Sequence, residues 1–193
     1  MTFSDRIVEA FAFTHGLHQQ QRRKGSEVPY LTHLMAVAAL VGEYGGNESQ
    51  VIGALLHDAV EDQGGQETLE RIRAKFGDEV AGYVAGCSDA DGEPKPPWEE
   101  RKRRFLKSVT HAPSSVKLIV AADKLHNARS ILKDFRELGD AVWQRFRGGR
   151  EGSLWYYSEM VRALATGWSH PILLELSEAV DALQCAANAA SNR

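Results

Sequence analysis

Between Val116 and Asp123 the chain leaves little freedom to the fold. Val116, Leu118, Ile119, Val120, Ala121 and Ala122 are followed without a break by Asp123. A helix over 115–135, capped by Ser114 or Ser115, would be apolar on nearly all sides, and such a helix belongs at the centre of a bundle. The carboxylate inside it is the second constraint. An aspartate is almost never fully buried without a partner. Asp123 therefore needs a cation, and the choices are Lys124, another base or a metal. Asn127, one turn on, shares its face.

The flanking sequence reads as helices that can pack around this one. Apolar residues recur at helical spacing over 3–18 (with Ser4 able to cap), 30–44, 48–60, 67–76, a further segment to Ser88, 98–109, 137–147, 152–166 and 170–189. No stretch alternates as a strand does, so the expected fold is all-α, a single domain over 1–193 of about eight to ten helices. Residues 88–97, rich in Asp, Gly and Pro, predict a surface loop that borders a site or forms a small hairpin. The run Arg101-Lys102-Arg103-Arg104 follows Glu99-Glu100, and pairing at i,i+4 predicts a solvated face rather than a nucleic-acid patch.

Composition narrows the function classes. A formal net charge of −3 gives no global basic signal for nucleic acid. Cys87 and Cys185 lie far apart without CxxC spacing and predict reduced thiols. The N-terminus lacks a basic region leading into an apolar signal core, and no apolar run reaches the roughly 20 residues of a membrane span, so a cytoplasmic chain with no membrane contact is expected.

Chemistry concentrates in Ala54-Leu55-Leu56-His57-Asp58-Ala59-Val60-Glu61-Asp62. If the 48–60 helix continues through it, His57 and Glu61 share a face, as do Asp58 and Asp62. Burying these groups behind Leu55 and Leu56 is very costly unless they are paired or hold a metal. His33, on the apolar face of the 30–44 helix, would alone read as a satisfied core histidine. Together, His33, His57, Asp58 and Asp123 make a mixed N/O set from three helices. Such a set favours Mn²⁺, Fe²⁺ or Mg²⁺ over a Cys-rich zinc site.

This order, a lone His, an adjacent His-Asp pair and a distant Asp in an apolar helix, resembles that of the HD metal-dependent phosphohydrolases. The segments His18–Lys24, Pro29–His33, Ala54–Asp62, Phe76–Val80 and Ala122–Arg129 extend the likeness, in order, to the hydrolase domain of the RelA/SpoT family. In size and arrangement the chain is most similar to the stand-alone small alarmone hydrolases of the metazoan SpoT-homologue type. The likeness runs over roughly 3–165, with no synthetase or regulatory domain expected after Arg193.

The resemblance implies metal ligands at His33, His57, Asp58 and Asp123, usually for Mn²⁺. It implies that Glu61 and Asp62 orient or deprotonate the attacking water. Arg23 and Lys24 would contact the nucleotide base, with Arg22 beside them, and Tyr30 and Asn127 would line the pocket. A late-helix tyrosine is assigned to Tyr157, with Tyr156 as the other choice. The chain departs from the family in carrying Leu34 where a proline often follows the first ligand.

The implied reaction is hydrolysis of the 3′-diphosphate of guanosine 3′,5′-bis(diphosphate), giving GDP or GTP and pyrophosphate. Another nucleotide substrate (an adenosine alarmone, NADPH or a nucleoside monophosphate) is the alternative. An inactive HD binding module is a further one. The partner in either enzymatic reading is a small-molecule nucleotide, and the chain is a monomer or homodimer.

Overall fold

The computed structural model describes residues 2–89 and 96–191. Among them the regular structure is helical: α1 (Arg6–His18), α2 (Leu31–Glu43), α3 (Glu48–Leu56), α4 (Ala59–Asp62), α5 (Gly65–Phe76), α6 (Asp78–Cys87), α7 (Trp98–His111), α8 (Ser114–Leu138), α9 (Gly149–Ala165) and α10 (Ile172–Ser191). A 3-10 segment, Gly139–Arg145, stands where a short helix was expected.

The apolar helix is central, as its composition demands. α8 packs against α2, α3, α6, α9 and α10. Its residues Val116, Leu118–Ala122, Leu125, Ala128, Ile131 and Phe135 are buried. Lys117, the polar residue in the apolar run, is buried too. Its Nζ donates to Thr166 O at 2.6 Å and Leu164 O at 3.4 Å, which satisfies carbonyls at the end of α9 and suits the negative end of that helix. Neither Ser114 nor Ser115 caps α8. Pro113 holds the N-cap position and Ser114 is already helical, so no side-chain cap forms.

The α2–α3 connection keeps its expected chemistry. Gly45 takes φ +84°, Gly45 N donates to Gly42 O at 3.1 Å, and Gly46 N donates to Val41 O at 2.8 Å. These bonds use carbonyls the helix end leaves open. Asn47 and Gln50 then form a reciprocal capping box on α3.

Residues 21–30 form a short hairpin-like loop that sequence periodicity cannot reveal. Arg23 N donates to Val28 O at 2.9 Å and Tyr30 N to Gln21 O at 3.0 Å, around an Arg22–Pro29 bridge. Gly25 turns it at φ +67°, where a Cβ would lie 2.4 Å from Arg145 Nε. Arg145 is itself held by Asp134 at 2.6 Å. The loop carries Arg23 and Tyr30 towards the centre of the bundle.

Three further expectations are corrected. The 48–60 helix breaks at His57–Asp58, because the His57 imidazole takes the Ala54 carbonyl at 2.8 Å and Asp58 adopts φ −97°, ψ 0°. The supposed solvated face of α7 is divided. Arg103 and Arg104 pair outward with Glu99 and Glu100, whereas Arg101 is buried with 6% exposure. Asp89 is likewise buried, so the start of the 88–97 loop is not surface. The hairpin suggested for that loop falls on residues 90–95, outside the described residues.

Candidate metal centre

His33 comes from α2, His57 from the end of α3, Asp58 from the start of α4 and Asp123 from α8. The break at 57–58 allows adjacent residues to aim at one point. His57 Nε2 lies 3.0 Å from Asp58 Oδ2 and 3.6 Å from Asp123 Oδ1. His33 Nε2 lies 3.2 Å from Asp123 Oδ1 and 3.7 Å from Asp58 Oδ2.

The ligand atoms of His33, His57 and Asp58 lie close enough together to share one ion, and Asp123 Oδ1 stands beside both imidazoles. Bonds of about 2.1 Å from one centre put neighbouring ligand atoms about 3.0–3.4 Å apart. The hydrogen bonding agrees, because both Nε2 atoms are buried and neither makes a well-aligned hydrogen bond, although carboxylate oxygens stand 3.0 and 3.2 Å away. Buried polar atoms are rarely left so, and a bound ion is one of the accepted reasons. The donors are two imidazoles and two carboxylates without thiolate, a set suited to a divalent ion of intermediate or hard character.

Groups behind the four fix their orientation. His57 Nδ1 donates to Ala54 O, which turns its Nε2 to the centre. Burial opposes a charge on this imidazole, but Asp58 and Asp123 raise it well above its ordinary value, so an ion held at Nε2 would take the place of a proton. His33 Nδ1 faces His126 Nδ1 at 2.8 Å. Burial, with His33 and Arg23 nearby, pushes His126 down to about 4. A neutral His126 can therefore accept a hydrogen bond from His33 Nδ1, which aims His33 Nε2 at the centre. Asp123 Oδ2 meets Lys124 Nζ at 2.6 Å, while its Oδ1 accepts from Asn127 Nδ2 at 2.5 Å. Burial alone would push Asp123 up, but Lys124 and the two histidines hold it well below the usual carboxylate range. Asp58 behaves similarly, burial being outweighed by His57 and His33. The site thus keeps its carboxylates ionised and ready for a cation. Lys124 does not use up Asp123, since Lys124 meets Oδ2 while Oδ1 faces the two imidazoles.

Glu61 and Asp62 flank the cluster on α4. Burial first, then Asp89, raises the Glu61 carboxyl to about 7. Asp62 is also raised, by burial and by Asp58, against the pull of Gln21, His18 and Lys24. Gln21 Nε2 donates to Asp62 Oδ2 at 2.7 Å, and Gln21 Oε1 faces Gln63 Nε2 at 2.8 Å and His18 Nδ1 at 2.6 Å. Gln21 therefore joins the loop after α1 to α4.

The expected nucleotide-contacting residues divide into three groups. Arg23, Tyr30 and Asn127 are continuous with the His/Asp cluster. Arg23 Nη1 donates to Asn127 Oδ1 at 3.0 Å, its guanidinium lies 6.0 Å from the Tyr30 ring centroid, and the Tyr30 hydroxyl donates to Asp58 Oδ2. Arg22 and Lys24 are exposed on the same loop. Tyr157 is buried on α9, its hydroxyl within electrostatic reach of Lys124, Asp123 and Arg23. Tyr156 is also buried, and its ring is faced by the Lys102 and Lys124 ammonium groups at 5.1 and 5.7 Å.

The sequence reading missed His126, Gln21 and the buried group of Asp89, Arg101 and Lys102. His126 stands between Asp123 and Asn127 in the same motif, three residues from a candidate ligand, which was a usable signal. Nothing in the sequence distinguished Arg101 from Arg103.

An HD-domain profile matches residues 10–154. The chain belongs to the HD-domain family. Its relatives include a Synechocystis protein named as a probable guanosine-3′,5′-bis(diphosphate) 3′-pyrophosphohydrolase, 37% identical over 128 residues. That alignment covers 65% of this HD chain and 16% of the Synechocystis protein. The guanosine-3′,5′-bis(diphosphate) 3′-pyrophosphohydrolase of Xenopus tropicalis is 38% identical, with 65% and 69% covered. Among solved structures, one described as a metazoan orthologue of SpoT that hydrolyses ppGpp superposes with TM-score 0.76 at 27% identity, covering 93% of the HD chain and 96% of its own. The likeness to this structure extends beyond the sequence alignments into the C-terminal helices.

Proposed function

We propose that this HD protein is a metal-dependent phosphohydrolase that removes the 3′-diphosphate of guanosine 3′,5′-bis(diphosphate) and releases pyrophosphate. The observation that carries the reading is the pair of buried imidazole nitrogens, neither in a well-aligned hydrogen bond, facing Asp58 and Asp123, with a carboxyl poised near neutrality beside them. The named activity of its relatives supports the choice of substrate.

His33, His57, Asp58 and Asp123 would hold the ion, for which Mn²⁺ is the proposed occupant. When bound, a divalent ion supplies the Lewis acidity that makes water nucleophilic near neutral pH and offsets phosphoryl charge. The chain's own groups do the rest. Glu61 takes a proton from water, with Asp62 as the neighbouring carboxylate that orients it. The water oxygen joins the phosphorus next to the ribose, the bond to the 3′-oxygen breaks, and that oxygen takes up a proton. Arg23 and Lys24 offer a stacking and charge-bearing edge to the base and phosphates, with Arg22 beside them. Tyr30, Asn127 and Tyr157 line the pocket. The protein would act in the cytoplasm on a small-molecule nucleotide, as a monomer or homodimer.

The test is a nucleotide panel with Mn²⁺ that resolves pyrophosphate from phosphate. Pyrophosphate from guanosine 3′,5′-bis(diphosphate), at a rate above that from the adenosine analogue, NADPH and nucleoside monophosphates, supports the assignment. Orthophosphate release from another nucleotide alone would replace it.

A further inference from the structure

Beyond the ligands and the α4 acids, one buried charge cluster has no part in the mechanism above. Asp89 follows α6, and its side chain is 4% exposed. Arg101 Nη1 donates to Asp89 Oδ1 at 2.7 Å and Lys102 Nζ donates to Asp89 Oδ2 at 2.5 Å, so α7 clamps both carboxylate oxygens. The same Arg101 Nη1 lies 3.8 Å from Glu61 Oε1. The Glu61 and Asp89 carboxyl groups are within hydrogen-bonding reach of each other. Buried charges are expected to be paired. Here two cations meet two carboxyl groups, and one of those belongs to α4.

The pairing is lopsided. Asp89 receives two close charge-assisted hydrogen bonds, which hold it in the ionised form. Glu61 has only the longer Arg101 contact and faces the Asp89 anion. Two carboxyl groups in contact interact favourably when one carries a proton and repel when neither does. The charged groups facing Glu61 are Asp89, Arg101, Lys102 and Asp58.

We propose that Asp89, clamped by Arg101 and Lys102, is a positioning residue for Glu61. It orients the Glu61 carboxyl and accepts a hydrogen bond from it once Glu61 has taken the proton of the attacking water. The proton passes from water to Glu61 and then to the departing 3′-oxygen. Asp89 keeps its charge throughout and does not touch the substrate. The proposal rests on the hydrolase reading above. It adds a residue from the α6–α7 connection, and through it α7, to a site otherwise built from α2, α3, α4 and α8.

The test is the pH profile of kcat for pyrophosphate release by the Mn²⁺-loaded full chain, compared between wild type, Asp89→Asn and Lys102→Gln. Asp89→Asn preserves shape and an acceptor but removes the repelling charge. Its kcat should fall about tenfold, the lower end of what partners behind a reacting group contribute, with KM nearly unchanged. Its acidic limb should move down by about one pH unit. Lys102→Gln removes a cation from the same cluster, so its limb should move up. Opposite shifts establish the role, whereas a purely structural cluster lowers thermal stability and moves neither limb. If Asp89→Asn does not fold, the upward shift in Lys102→Gln decides, and an unmoved limb there overturns the proposal. A wild-type protein that releases no pyrophosphate refutes the hydrolase reading instead, which keeps the two failures apart.

Discussion

Lys124→Met tests how the centre of the bundle tolerates a carboxylate. Lys124 Nζ lies 2.6 Å from Asp123 Oδ2, and the two side chains are 15% and 9% exposed. Its ammonium also sits 5.7 Å from the ring centroids of Phe105 and Tyr156, so the stem is packed as well as the charge. Methionine keeps most of that stem and removes the charge. Removing one partner of a buried ion pair costs about 3–5 kcal/mol, because the other charge is left uncompensated. In a chain of this size each kcal/mol is about 2–4 °C in Tm, so the metal-free variant should melt about 6–20 °C below wild type. A divalent ion bound at the other Asp123 oxygen restores part of the missing positive charge. The rise in Tm on adding Mn²⁺ should therefore be larger in the variant than in wild type. Differential scanning calorimetry in chelator and in excess Mn²⁺ measures both quantities. A metal-free Lys124→Met that melts with wild type, or equal metal-induced gains, would refute the charge balance drawn for Asp123.

Three other outcomes follow from the same geometry. Glu61→Gln and Asp62→Asn should each lower turnover, by about 10²–10⁴-fold for the residue acting as general base, while Mn²⁺ affinity measured by calorimetry stays near wild type. Because burial and Asp89 raise Glu61 to about 7, its base form is lost below that value, so kcat should climb as pH rises through about 7. A kcat that is flat from about pH 6 to pH 8 would assign the base elsewhere. His126→Ala removes the acceptor behind His33 Nδ1 and should weaken Mn²⁺ binding about 10–100-fold without abolishing the fold, as judged by metal titration and circular dichroism.

Much of the architecture could be read from sequence because it follows from apolar patterning. An apolar helix such as 116–122 has few places to go, and the Gly45-Gly46-Asn47 punctuation sets the α2–α3 turn directly. The four candidate ligands were legible because each is a polar group in apolar company that requires a partner. What the sequence hid depends on a side chain competing with the backbone or on contacts between distant segments. The His57–Asp58 break arises from an imidazole taking a helix carbonyl. The 21–30 hairpin depends on Gly25 fitting against Arg145. Arg101 and Arg103 are chemically alike two residues apart, yet α7 turns one inward to Asp89 and the other outward to Glu99. Helical spacing separates such faces only once the neighbour is known.

The most direct test of the central claim is a metal titration of the stripped protein. Chelator-treated chain, assayed for pyrophosphate release from guanosine 3′,5′-bis(diphosphate), should be inactive. Adding Mn²⁺ should restore activity to a plateau at a single equivalent per chain, and Asp58→Ala and Asp123→Ala should stay inactive while retaining wild-type helical content. Full activity in chelator, or wild-type activity in either variant, would contradict a centre built from His33, His57, Asp58 and Asp123.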